Sequence, residues 1–282
     1  MTINWFPGHM HKTQKALREQ MKHTDLVIEI LDARAPLASR NPLLADIQRD
    51  CPLVVILNKV DLADPDVTAA WQQHFADIKR PVRLMTANTG FAIADFERCI
   101  QQQVTGRWTV DKPLRLLVMG LPNVGKSTFL NQWLGRRVHR VGDTPAVTQH
   151  IQRIKLKPGW VLFDTPGVMW QKLPDADMGY RLALLNMIKE TAFDFADVAA
   201  YCVDFLLGSR AAHRFRDHYQ LPASITTELP ALEWIAQRRG CMRHGQVQWE
   251  QVGQLIVKDF RAGAFGVVSL ERPDLCLTVG SE

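Results

Sequence analysis

The strongest constraint in this 282-residue chain is the run Gly120-Leu121-Pro122-Asn123-Val124-Gly125-Lys126-Ser127. It follows the apolar stretch Leu114 to Met119 and opens a helical pattern at Lys126. It fits the strand-loop-helix signature G-x-x-x-x-G-K-[ST], in which glycines let backbone N–H groups turn inward around phosphate oxygens and a helix N-terminus adds positive potential. Lys126 then reaches the β- and γ-phosphates and Ser127 ligates Mg²⁺, with Asn123, Val124, Gly125 and Thr128 completing the cradle. A chain carrying this loop is expected to build an α/β domain around a mostly parallel sheet.

A phosphate loop does not select the base. Asn58-Lys59-Val60-Asp61, at the end of the strand-like Leu53 to Leu57, does. An aspartate carboxylate accepts hydrogen bonds from guanine N1–H and the N2 amine, and adenine offers neither donor there. Asn58 can contact the guanine edge, and the Lys59 stem can cover the ring face. Thr86-Ala87-Asn88 follows the next short strand, Val82 to Met85, and completes the base-reading set. Asp164-Thr165-Pro166-Gly167 follows the strand Trp160 to Phe163. Asp164 is expected to act in the second shell of Mg²⁺, and the Gly167 N–H to face the γ-phosphate. Thr144 and Thr148 are candidates for the switch hydroxyl that closes over Mg²⁺, with Thr148 favoured.

The order of these motifs is unusual. In GTPases of the Ras type the phosphate loop comes first and the base-reading loops last, whereas here the base-reading loops precede it. One sheet accommodates both orders if the old ends are joined, here through 105–113, and new ends opened elsewhere. The expected fold is therefore a circularly permuted Ras-like P-loop GTPase domain over residues 1–174, including a basic amphipathic segment at 1–23. Strands are expected at 26–31, 53–57, 82–85, 114–119, 150–156 and 160–163, with helices at 11–23, 42–49, 66–78 and from 126. From about Asp175 the spacing becomes helical throughout (177–191, 195–207, 213–219, 229–238, 252–260), predicting a smaller all-α domain over 175–282.

Charge follows the same division. Residues 1–174 hold 23 Lys+Arg against 15 Asp+Glu, and residues 175–282 hold 11 against 14. A net +8 block suits a polyanionic partner such as nucleic acid. The clusters His9-His11-Lys12-Lys15-Arg18-Lys22, Arg136-Arg137-His139-Arg140, Arg210-His213-Arg214-Arg216 and Arg238-Arg239-Arg243 are candidate RNA contacts. Trp234 and Trp249 are expected in the core. The five cysteines are far apart and never form Cys-x-x-Cys, which argues against a disulfide framework or a structural zinc site. The N-terminus lacks a secretory pattern and no apolar run reaches the ~18 residues that span a bilayer. The expected setting is cytoplasmic, with no membrane partner, and the expected state is a monomer.

The permuted order, the opening Trp5-Phe6-Pro7-Gly8-His9-Met10, the segment Asp32-Ala33-Arg34-Ala35-Pro36-Leu37-Ala38-Ser39-Arg40-Asn41-Pro42 and the helical tail together resemble the bacterial ribosome biogenesis GTPase A family, also called the YlqF family, over essentially the full length. The resemblance implies a cytoplasmic GTPase that binds GTP and GDP and acts in late assembly of the large (50S) ribosomal subunit. It also implies binding to ribosomal RNA and proteins, and a C-terminal domain that helps contact RNA. A permuted GTPase of tRNA modification or another RNA pathway is the alternative within the same chemistry. A nucleotide-sensing scaffold that hardly hydrolyses GTP is the alternative outside it.

That last alternative arises because the position next after Asp164-x-x-Gly167 is Val168, which cannot orient a water as the glutamine of Ras-like proteins does. The resemblance points to His9 as the replacement, since a neutral imidazole can hold a water by its free nitrogen. Asn123 matches the position at which potassium-activated GTPases help hold K⁺ against the β- and γ-phosphates, which makes K⁺ a second candidate cofactor beside Mg²⁺. Ala146 stands where the family usually has glycine after the first-switch proline, which bears on the shape of the loop carrying Thr148.

Overall fold

The computed structural model describes residues 10–41, 51–86, 92–136, 151–167 and 175–276. The expected helix at 42–49 lies outside these residues. The described chain divides into two compact units, one formed by residues 10–167 together with 269–276 and the other by residues 175–268.

The first unit is built on a six-stranded sheet. Its strands are β1 (Leu26–Asp32), β2 (Leu53–Asn58), β3 (Val82–Met85), β4 (Leu114–Gly120), β5 (Gln152–Lys157) and β6 (Trp160–Asp164), in the spatial order β3-β2-β1-β4-β6-β5. All neighbours are parallel except the edge hairpin β5–β6. Every residue of β1 and β2 is buried, as central strands covered on both faces require. On one face, α1 (Met10–Met21) and α2 (Pro65–Asp77) contribute Leu17, Met21, Val67, Trp71 and Phe75 to a core with Val27, Leu31, Val55 and Leu57. Helix α2 begins where it does because the Asp64 carboxylate accepts the N–H groups of Asp66 and Val67, and Pro65 opens the first turn. On the other face, α3 (Ile93–Gln103) and α4 (Lys126–Leu134) bring Phe96 edge-on to Phe129 and Trp133, at centroid separations of 5.6 and 5.1 Å.

The strand holding the phosphate loop, β4, sits between β1 and β6, although it is fourth in the chain. The permuted Ras-like architecture is thus realised with the base-reading strands β2 and β3 on one side and the Asp164 strand on the other. Helix α3 is not among the elements expected from the sequence, yet Ile93, Phe96, Cys99 and Ile100 carry its stripe, and the last three are buried.

The second unit contains α5 (Ala176–Leu184), α6 (Phe195–Leu207), α7 (Ala212–Tyr219), α8 (Glu228–Arg238) and α9 (Trp249–Arg261). Its core joins α6 to α9, and Gly253 is what permits the approach: a Cβ there would fall 2.5 Å from the Phe195 carbonyl carbon and oxygen. A buried aromatic group of Phe215, Tyr219 and Phe265 lies beside it, with the Tyr219 hydroxyl donating to Asp259 Oδ2 at 2.8 Å.

Four expectations change here. The 177–191 helix stops at Leu184, because Asn186 adopts a left-handed φ of 60° and a separate 3-10 turn covers Glu190–Ala192. The unit is not purely α: Met242–Arg243 and Gln246–Val247 pair as a short hairpin, β7–β8, through the positive-φ turn His244-Gly245. Among the described residues the second unit ends at Val268 rather than continuing to the C-terminal end: 269–276 belongs with the first unit, and the last described helix, α10 (Pro273–Cys276), packs against α2. Trp249 is 39% exposed rather than core.

Candidate nucleotide site

Parallel strands place their carboxyl ends on one edge of a sheet, the usual location of α/β ligand sites. Asp32 ends β1, Asn58 ends β2, Gly120 ends β4 and Asp164 ends β6. Register sets Asp32 beside Asn58, Gly120 beside Ile30 and Asp164 beside Val118. Residues separated by more than 130 positions in the chain therefore share one rim.

The phosphate loop is shaped by left-handed backbone at Asn123 (φ 59°) and Gly125 (φ 97°). The second is open only to glycine, since an added Cβ would lie 2.0 Å from Asn58 Nδ2. Asn58 itself is buried, and its Nδ2 donates to the Val124 carbonyl at 2.7 Å. The base-reading strand is thus bonded directly to the phosphate loop. The Asn58 amide nitrogen thus braces the loop, and its Oδ1 is a buried acceptor without a hydrogen-bond partner among the described residues.

Lys126 is only 7% exposed, and its ammonium pairs with the fully buried Asp164 carboxylate. Ser127 and Thr128 are half-buried at the start of α4. The Ser127 hydroxyl and the Asp164 carboxylate are oxygen donors of the kind a hard cation such as Mg²⁺ takes, and Lys126, which precedes Ser127 in the chain, supplies a positive charge beside Asp164. The loop after β6 is fastened by Thr165, whose hydroxyl donates to the Val118 carbonyl at 2.9 Å. Gly167 lies so close to the phosphate loop that a Cβ would fall 2.9 Å from the Pro122 backbone nitrogen.

The base-reading loop has an ionic support that sequence reasoning did not assign. Lys59 holds a left-handed φ of 61°, with its ammonium 3.1 Å from Asp32 Oδ2. Asp32 also accepts a fork from Arg34, Nε to Oδ1 and Nη2 to Oδ2, both at 2.9 Å. Full burial alone would raise the Asp32 carboxyl, but Arg34 and Lys59 together hold it well below the usual carboxylate range. An aspartate ending an apolar central strand at this edge was the available signal. Asp61 is exposed and Thr86 is buried. Ala87, Asn88, Thr144, Ala146, Thr148, Val168 and His9 lie outside the described residues.

Several arginines expected to meet RNA have structural work in the second unit. Arg216 donates to the carbonyls of Pro222 and Ile225, both at 2.9 Å, and Arg239 donates to the His218 carbonyl at 3.1 Å and lies over the Tyr219 ring. Arg210 and Arg243 remain exposed. No helix among the described residues is long and apolar enough to cross a membrane.

Residues 115–230 match the family model described as 50S ribosome-binding GTPase. The ribosome biogenesis GTPase A of Bacillus licheniformis is 35% identical, over 97% of this chain and 99% of its own. That of Bacillus pumilus is 34% identical, over 97% and 100%. A crystal structure of GNP-bound YlqF from Thermotoga maritima shares the fold, with a TM-score of 0.64 and 24% identity over 93% of this chain and 99% of the other. With the permuted sheet order and the motifs gathered on its carboxyl edge, these relatives establish that the chain belongs to the ribosome biogenesis GTPase A family.

Proposed function

We propose that the protein is a cytoplasmic, monomeric GTP-hydrolysing switch that acts in late assembly of the large ribosomal subunit, with turnover accelerated by the pre-ribosomal particle. The observation that carries the reading is the junction of the two recognition loops, made by the Asn58 bond to Val124 at the edge where Asp61 and Lys126 also lie. Family membership supplies the ribosomal context, and the basic residues of positions 1–174 suit an RNA-rich partner.

In this reading Asp61 accepts from guanine N1–H and N2, Lys59 covers the base, and Thr86, Ala87 and Asn88 close the pocket. Lys126 turns from Asp164 to the β- and γ-phosphates, helped by N–H groups of the phosphate loop from Asn123 to Thr128. Ser127 and Thr148 would hold Mg²⁺, with Asp164 acting in its second shell. The bound ion would neutralise charge that develops on the transferring phosphoryl group. Water attacks the γ-phosphorus, the bond to the β,γ-bridging oxygen breaks, and GDP and phosphate leave. His9 orients that water on the particle, and Asn123 would help hold K⁺, which would supply positive charge for the transferring phosphoryl group.

The contact of Gly167 with Pro122 supports a switch, because loss of the γ-phosphate changes what the Gly167 N–H faces. The chain then passes within about ten residues into the helical unit. Co-sedimentation with large subunits should therefore be stronger with a non-hydrolysable GTP analogue than with GDP. Depletion should accumulate a large-subunit precursor. Equal binding in both states would contradict the switch, and a normal particle profile would contradict the assembly role.

A further inference from the structure

The segment that leaves the helical unit after Val268 is built into the lobe that carries the base-reading loop. The Ser269 hydroxyl accepts the Asp64 N–H at 3.1 Å, Leu270 N–H donates to the Arg34 carbonyl at 2.6 Å, and the Glu271 carbonyl accepts the Trp71 indole N–H at 3.3 Å. The Glu271 carboxylate, 5% exposed, accepts the N–H groups of Leu37 and Ala38 at 2.8 and 3.0 Å. Burying a carboxylate is costly unless donors compensate it, and an apolar residue would serve a strap that only packed. Here the charge is directed at one turn.

That turn is the one that supports Lys59. Ser39 at its end accepts the Asp32 N–H at 3.0 Å and donates to the Ala35 carbonyl at 2.8 Å, while Arg34 at its start forks onto the Asp32 carboxylate. Asp32 in turn holds the ammonium of Lys59 in its left-handed conformation. On the other side, Asp64 both accepts at the start of α2 and donates to Ser269, three residues after Asp61. The strap thus grips the segments before and after the base-reading loop.

We propose that Glu271 is a positioning residue for guanine recognition: by fixing the Arg34–Ser39 turn through two backbone N–H groups, it fixes the Arg34–Asp32–Lys59 relay and so the place of Lys59 and Asp61. The proposal rests on the reading that Lys59 and Asp61 bind guanine. Its consequence is that the last residues of the helical unit lead directly into an element that sets nucleotide affinity.

The test compares full-length wild type, Glu271→Ala, Glu271→Gln and Asp61→Ala for binding of fluorescent GDP, IDP and ADP, with KM and kcat for GTP. IDP lacks the N2 amine, so the GDP-to-IDP affinity ratio reports how well the guanine-reading carboxylate is placed. Glu271→Ala is expected to weaken GDP binding at least about tenfold, a lower bound on what the loss of two charge-assisted hydrogen bonds can transmit to the site, to lower the GDP-to-IDP ratio, and to place its kinetic loss in KM. Glu271→Gln keeps the volume and one acceptor, so it should fall between Ala and wild type; it carries the test if Glu271→Ala does not fold. If Asp61→Ala loses discrimination while both Glu271 variants stay within twofold of wild type in affinity and ratio, the strap has no positioning role. If wild type itself binds GDP and ADP alike, the guanine reading fails and the proposal with it.

Discussion

Gly125→Ala tests the geometry of the nucleotide site where it is most constrained. Gly125 has a φ of 97°, and an L-residue in left-handed backbone costs about 1–2 kcal/mol. The added methyl would also lie 2.0 Å from Asn58 Nδ2, so Asn58 must leave its 2.7 Å bond to the Val124 carbonyl. Breaking a bond between buried groups costs a further ~1–3 kcal/mol. The combined ~2–5 kcal/mol corresponds to a loss of nucleotide affinity between roughly thirtyfold and a few thousandfold. Titration with a fluorescent GDP reads it directly. The two costs separate in a double-mutant cycle, because Asn58→Ala removes the clash and the bond but leaves the φ strain. The double variant should therefore bind about tenfold better than the sum of the single losses predicts. Strict additivity, or a Gly125→Ala affinity within threefold of wild type, would refute the argument that Asn58 and the phosphate loop share one packed junction.

Four other outcomes are open to measurement, two from the structure and two from the proposed function. Glu29, buried in the middle of β1, is pushed up from 4.5 to about 7 by burial, against the opposing pull of Arg40, the Asn41 N–H and Arg80. The folded state therefore binds this proton more tightly than the unfolded chain, and the stabilisation, present in full below about pH 4.5, is lost as pH rises through about 7. Glu29→Gln should raise the melting temperature at pH 8, by the equivalent of at most ~3 kcal/mol, and leave it unchanged near pH 4.5; an equal shift at both values would contradict this. Gly253→Ala places a methyl on the Phe195 carbonyl and should cost about 1–3 kcal/mol, seen in calorimetry as a lowered transition of the helical unit. Turnover should be faster in KCl than in NaCl if Asn123 helps hold K⁺, and His9→Ala should remove the ribosome-stimulated part of turnover; equal rates in both comparisons would remove both residues from catalysis.

The phosphate loop, the base-reading loop and the Asp164 loop were legible because each needs particular residue types at fixed spacing after an apolar strand. Their order revealed the permutation, and β4 between β1 and β6 is its structural form. Local pattern could not reveal the Asp32–Lys59 pair, since only strand pairing in register sets Asp32 beside Asn58. Nor could it place Glu271, whose partners Leu37 and Ala38 lie more than 230 residues earlier. By adjacency in the chain alone, the tail falls with the helical domain. The end of α5 shows the opposite limit: the spacing from 177 to 191 is helical, but left-handed backbone at Asn186 ends the first helix there.

The proposed function requires that the large ribosomal subunit activate this guanine-nucleotide site. GTP hydrolysis by the purified chain, measured alone and with equal amounts of large subunits, small subunits or tRNA, tests it most directly. Large subunits alone should accelerate phosphate release. Equal rates under all four conditions, or acceleration by small subunits or tRNA instead, would contradict it.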